Sequence, residues 1–189
     1  MAAQANRNIA LTPDPESAAL ITECAYNKYK NYTEGYCLQV GVSLPHVTLA
    51  QFWVENPAFN DAVITRALDT LCTGMKPYRL NPVGLYRTTN HAENDFWIGV
   101  EIEKRPDLKQ CHMDVCNLLR KLDLKIINAN GQDYFPHITF ARADRTAPAL
   151  DASGDVDVLE VCQKATWMVS YGVSDRWYQL TAVIHTPKM

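Results

Sequence analysis

Long apolar runs are absent from this sequence, and none approaches the ~20 residues that cross a bilayer, so no membrane partner is expected. The stretch from Met1 to Asn8 lacks the apolar segment of a secretory signal, which predicts a cytoplasmic location. Basic charge is also scarce. Eighteen Lys and Arg face 21 Asp and Glu, for a formal net charge of −3. A broad duplex-binding face needs a cationic surface, so duplex DNA is not an expected partner. A small phosphorylated ligand in a local pocket stays open. The six cysteines (24, 37, 72, 111, 116 and 162) contain no Cys-x-x-Cys pair. They are expected to be reduced and to serve as small apolar filler rather than as a zinc site.

What the sequence does have is a repeat. Pro45-His46-Val47-Thr48-Leu49-Ala50 returns as Pro136-His137-Ile138-Thr139-Phe140-Ala141, with apolar swaps at the third and fifth positions. A β-branched residue after the histidine, then Thr, with Pro at the start, reads as a strand in both copies. Residues i, i+2 and i+4 of a strand share a face. Each copy is therefore expected to turn His, Thr and Ala to one side and its larger apolar residues to the core. If the two copies face one another, two imidazoles and two hydroxyls surround one small volume, which suits a phosphodiester. One histidine removes a proton from the attacking oxygen and the other protonates the leaving oxygen. The threonines donate to the non-bridging oxygens, where charge accumulates.

Taken singly, either histidine would be read as structural, since one His-x-Thr carries almost no information. The matched pair resembles the motifs of the two-histidine (2H) phosphoesterase superfamily, whose members carry two His-x-Ser/Thr motifs. That superfamily includes the bacterial 2′,5′-RNA ligase-like proteins and several cyclic phosphodiesterases. The resemblance implies catalytic roles for His46 and His137 and phosphate-binding roles for Thr48 and Thr139. It also implies a duplicated α+β fold, with antiparallel sheets forming a concave groove and helices packed outside. The substrate class it implies is a 2′,3′-cyclic phosphate or a 2′,5′-linked oligonucleotide, that is, a small nucleotide or an RNA end.

The order of elements agrees with a duplication. Arg7–Leu11 reads as a strand, 16–29 as a helix and 46–54 as the first motif strand. Asp95–Glu103, the helix 107–122 and the second motif strand 137–143 repeat that order. A brief strand is expected at Gly35–Val40, a helix at 58–73 opened by Asn56-Pro57, and a strand at Tyr78–Arg87. Thr88–Asn94 and Asn128–Gly131 read as turns and Asp144–Asp155 as a loop. Three strands, Val156–Val161, Thr166–Tyr171 and Trp177–His185, are expected to finish the chain, with Gly172–Asp175 as a turn. No linker separates the halves, so 189 residues are expected to form one domain of two similar lobes, working as a monomer.

The remaining candidates are fewer. His91 falls in a polar loop, His112 flanks the apolar stripe of a helix, and His185 has no partner motif. No other His or carboxylate shares the repeat pattern, so neither a metal nor a cofactor is expected. Tyr134, in a polar segment before the second motif, is a candidate substrate contact at the rim of the site. Tyr178 is another, because an aromatic on the last strand borders the groove in related proteins. Arg142, five residues after His137, should alternate to the opposite face. The rival to an enzyme is a non-catalytic RNA- or nucleotide-binding module using the same groove, and intact His and Thr in both motifs argue against it.

Overall fold

The computed structural model describes residues 4–90, 95–128, 133–143 and 156–189. Residues 91–94 with His91, the turn at 129–131 and the loop Asp144–Asp155 lie outside the described residues, whereas residues 88–90, expected to begin a turn, continue a strand paired with residues 95–97. The chain opens with β1 (Ala5–Pro13), ended by Pro13 and followed by α1 (Pro15–Tyr29). Asp14 caps that helix by accepting from Ser17 N at 3.0 Å, and Pro15 supplies a pre-set φ. β2 (Thr33–Cys37) is short, and β3 (Val47–Val54) carries the first motif. Asn56 and Pro57 start α2 (Pro57–Cys72) as the sequence predicts, and Gly74, at φ 77°, follows its end.

β4 (Pro82–Asn90) and β5 (Asp95–Ile102) form a hairpin, α3 (Pro106–Lys121) follows, and β6 (His137–Ala143) carries the second motif. The segment 156–161 is not a strand. It begins α4 (Val156–Lys164), because Val158, Cys162 and Ala165 recur at a helical spacing and are buried together. Its β-branched residues favour a strand locally, but packing against α1 decides the outcome. β7 (Trp167–Ser174) runs through the expected turn at Gly172, so the last turn is 175–179 and β8 is Leu180–His185.

The strands form one eight-stranded antiparallel sheet in the order β4-β5-β6-β3-β1-β7-β8, with β2 added beside β6. The fold is α+β, as expected. The two motif strands meet at its centre through a single registered pair, Val47 with Ile138, the third residues of the two hexapeptides. Both are fully buried. Beneath them, Leu49, Phe140, Ile21, Leu108 and Val115 join one apolar core with α1, α2 and α3. Alternation then sends the neighbours of the central pair, His46 and Thr48 on one strand and His137 and Thr139 on the other, to the uncovered face.

Candidate active site

The two histidines are held in the same way. His46 Nδ1 lies 2.8 Å from the carbonyl of Leu44, and His137 Nδ1 lies 2.8 Å from the carbonyl of Phe135. A carbonyl oxygen only accepts, so each Nδ1 carries the proton and each Nε2 is left to exchange one. Burial lowers the pKa of His46 to about 4, against the raising effect of the Leu44 carbonyl, and the charge of His137 lowers it further. His137 is lowered as well, by burial. His46 thus senses the charge of His137, in keeping with the Val47–Ile138 pairing that brings the two motif strands side by side.

Both motif strands carry a β-bulge at the same place. Ala10 faces Thr48 while Ile9 faces Ala50, so Leu49 is the extra residue; Gly99 faces Thr139 while Ile98 faces Ala141, so Phe140 is the extra one. The bulges reverse the alternation after each threonine. Ala50 and Ala141 consequently enter the core instead of sharing the histidine face. Gln51 takes that face on one strand and Arg142 on the other. Arg142 was expected on the opposite face, and the extra residue at Phe140 is what turns it round; its guanidinium lies 4.4 Å from the ring of Trp177.

Each threonine has a polar neighbour. Asn8, fully buried, donates from Nδ2 to Thr48 Oγ1 and to the Tyr178 carbonyl, both at 3.4 Å. The carbonyl fixes the orientation of the amide, so Thr48 accepts from Asn8 and keeps its own proton to donate. Tyr86 Oη lies 3.2 Å from Thr139 Oγ1, and its ring meets His137 edge-on at 5.1 Å. This reach depends on Gly99, which lies between Tyr86 and Thr139 in the sheet register. A Cβ there would stand 1.9 Å from the Ile138 carbonyl oxygen and 2.8 Å from Tyr86 Cε1.

His137, Thr139, Tyr86 and Phe135 line a cavity of about 240 Å³, with Trp97, Trp177, Tyr178 and Gln51 among the other walls. Among its described lining residues Gln51 represents β3, and His46, 5% exposed, does not line it. Tyr178 stands in the turn before β8 rather than on the strand, at φ 61°. Asp175 holds that turn by accepting from Trp177 N and Gln179 N, while Gln51 Nε2 donates to the Tyr178 carbonyl at 3.1 Å. Tyr134 is not at the rim. Its ring is buried, stacks on His112 at 4.1 Å, and its hydroxyl donates to the Thr48 carbonyl at 2.9 Å. Among the described residues no group of three or more His, Cys, Asp or Glu is placed to hold a metal ion.

The profile of the family described as the 2′-5′ RNA ligase superfamily matches residues 13–175, a span that contains both motifs. The chain belongs to that superfamily. Its members are two-histidine phosphoesterases, and the class of chemistry that membership supports is cleavage or joining of phosphodiesters. No curated protein matches the sequence. Among solved structures, the chain is similar to Kluyveromyces marxianus Usb1 at 13% identity and a TM-score of 0.49, over 98% of both chains. The same protein with uridine monophosphate gives 11% identity and 0.47, over 96% of this chain and 98% of that one. The ns2 PDE domain of MHV gives 14% and 0.42, over 76% and 86%.

In this member of the 2′-5′ RNA ligase superfamily, sequence reasoning missed Asn8, Gln51 and Tyr86 around the motifs. The one available signal was Gly99, since glycine inside a strand marks a close approach, here that of the Tyr86 ring.

Proposed function

We propose that this chain is a metal-independent phosphodiesterase in which His46 and His137 act as general base and general acid on a 2′,3′-cyclic phosphate or a short 2′,5′-linked RNA. The observation that carries the reading is the shared tautomer: two neighbouring imidazoles, each with Nδ1 tied to a carbonyl and Nε2 left for proton exchange. In hydrolysis, one neutral Nε2 takes a proton from water as the water oxygen bonds to phosphorus. The P–O3′ bond breaks, and the protonated Nε2 of the other histidine gives its proton to the departing O3′. The pair ends with its single proton exchanged between rings, and the products are a 2′-phosphate and a free 3′-hydroxyl. Thr48 and Thr139 donate to the non-bridging oxygens. Opening at O3′ follows the superfamily resemblance.

A cavity of about 240 Å³ is below the roughly 300–1,000 Å³ of sites that enclose drug-sized ligands. It suits a phosphate and part of one nucleoside, with Trp177 and Tyr178 available to stack on a base. The test is incubation of 2′,3′-cyclic UMP with protein stripped by EDTA, followed by identification of the product. Formation of uridine 2′-monophosphate supports the reading. Binding without turnover supports the non-catalytic module, and activity that returns only with added zinc or manganese overturns metal independence.

A further inference from the structure

The two motif bulges are supported differently from beneath. On β6 the carbonyl of the extra residue, Phe140, accepts from the backbone N–H of Leu38 at 2.7 Å, and the adjacent β2 pairs with the residues that follow. On β3, among the described residues, no strand lies along the corresponding edge just beyond the Val47–Ile138 pair. Backbone pairing resumes only at Gln51 and Phe52, where Ile127 N donates to the Gln51 carbonyl at 2.7 Å and Phe52 bridges Ile126. The carbonyl of the extra residue there, Leu49, meets His112 Nδ1 at 2.6 Å. The preceding carbonyl, of Thr48, accepts from Tyr134 Oη at 2.9 Å. The two side chains are stacked face to face at 4.1 Å and 5°, and both are buried. His112 comes from α3 and Tyr134 from the segment leading into the second motif, so the pair joins the second motif's approach to the first motif's bulge.

We infer that His112 and Tyr134 are positioning residues for the first motif: together they stand where β2 stands for the second, fix the bulge at Leu49, and so aim Thr48 into the groove, while Ile127 and Asn128 hold the backbone of Gln51 just beyond it. A lone strand edge would leave the Thr48 and Leu49 carbonyls buried without donors, and the bulge would relax toward a regular strand. Regular alternation would return Ala50 to the histidine face and take Gln51 away from it. His112 serves in the neutral form, which its burial favours, with Nδ1–H as donor. Neither residue touches substrate.

This role presupposes, for its kinetic readout, that the histidine pair cleaves a phosphodiester. Misplacement of a reacting or binding group by about 1 Å costs on the order of 100-fold, so Tyr134→Phe should lower kcat on 2′,3′-cyclic UMP by roughly 10- to 100-fold. The decisive readout is coupling. In a Thr48→Ala background Tyr134→Phe should have little further effect, whereas in Thr139→Ala it should retain its full effect. His112→Leu should behave as Tyr134→Phe does, and His112→Asn, whose Nδ2 lies as many bonds from Cα as the imidazole Nδ1, should restore most of the activity. Equal losses in both threonine backgrounds, or a kcat within two-fold of wild type, would overturn the assignment.

A second measurement needs no turnover and remains informative if the protein proves not to be a phosphodiesterase. Amide hydrogen exchange in Tyr134→Phe should quicken across residues 48–51 and not across 139–142. Unchanged or uniformly faster exchange would overturn the assignment independently.

Discussion

Each histidine of the pair donates its Nδ1–H to a carbonyl, so all proton exchange falls to Nε2, and the pKa values of the two rings set the working range. The productive form carries one proton on the pair. Burial lowers both pKa values, that of His46 to about 4 from the ordinary 6.5. The profile of kcat/KM against pH should therefore be a bell displaced to the acid side of 6.5, its limbs belonging to the coupled pair. A bell centred above pH 7 would contradict the buried environment. Tyr86 belongs to the same scale. Burial keeps its phenol protonated, so Tyr86 can hold Thr139 by donating to its hydroxyl. Tyr86→Phe should lower kcat by about 10-fold or more, as loss of a positioned hydrogen bond does. Gly99→Ala should be worse for the fold, since its methyl meets backbone at 1.9 Å. A loss of about 1–3 kcal/mol or more, read as a lower denaturant midpoint, is expected from such overpacking.

At the scale of elements, α1 depends on its cap. Asp14 accepts from Ser17 N at its own helix and from Thr166 N at 2.9 Å at the start of β7. Partial burial disfavours its charge, but these hydrogen bonds outweigh burial and hold its pKa below the ordinary value. Asp14→Ala should cost about 0.5–2 kcal/mol of stability at neutral pH; a thermal midpoint unchanged from wild type would show the cap to be idle. Most elements were legible in the sequence, because stripes such as Leu108, Cys111, Val115 and Leu119 and stops such as Thr12–Pro15 act locally. The motif histidines and threonines were legible because they repeat. The bulges were not, because one extra residue leaves a strand's composition unchanged yet reverses every later side chain, and this misplaced Ala50, Ala141 and Arg142. Tyr134 was misread because its polar neighbours suggested a surface, while its hydroxyl found a carbonyl inside the core. In α4, β-branched residues masked a helical stripe that shows its purpose only against α1.

For the whole molecule, three histidines, His46 and His112 buried and His137 partly buried, have pKa values held down chiefly by desolvation. Below pH 6.5 the unfolded chain takes up protons that the folded chain refuses. Stability from this source is therefore complete above pH 6.5 and declines as pH falls toward about 4. The thermal midpoint should fall across that window, and His46→Gln should flatten part of the fall; an identical pH dependence in the variant would contradict the burial of His46. The sheet also sets where the two histidines stand. Its two motif strands touch at one registered pair, which puts His46 and His137 next to that pair. The most direct measurement is the turnover of 2′,3′-cyclic UMP by the wild type, His46→Ala and His137→Ala in the presence of EDTA. General acid and base catalysis contribute about 10²–10⁴-fold each, so either substitution should cost that much in kcat with the fold intact. A histidine that can be replaced by alanine with activity kept within a few-fold would contradict the two-histidine mechanism in this protein.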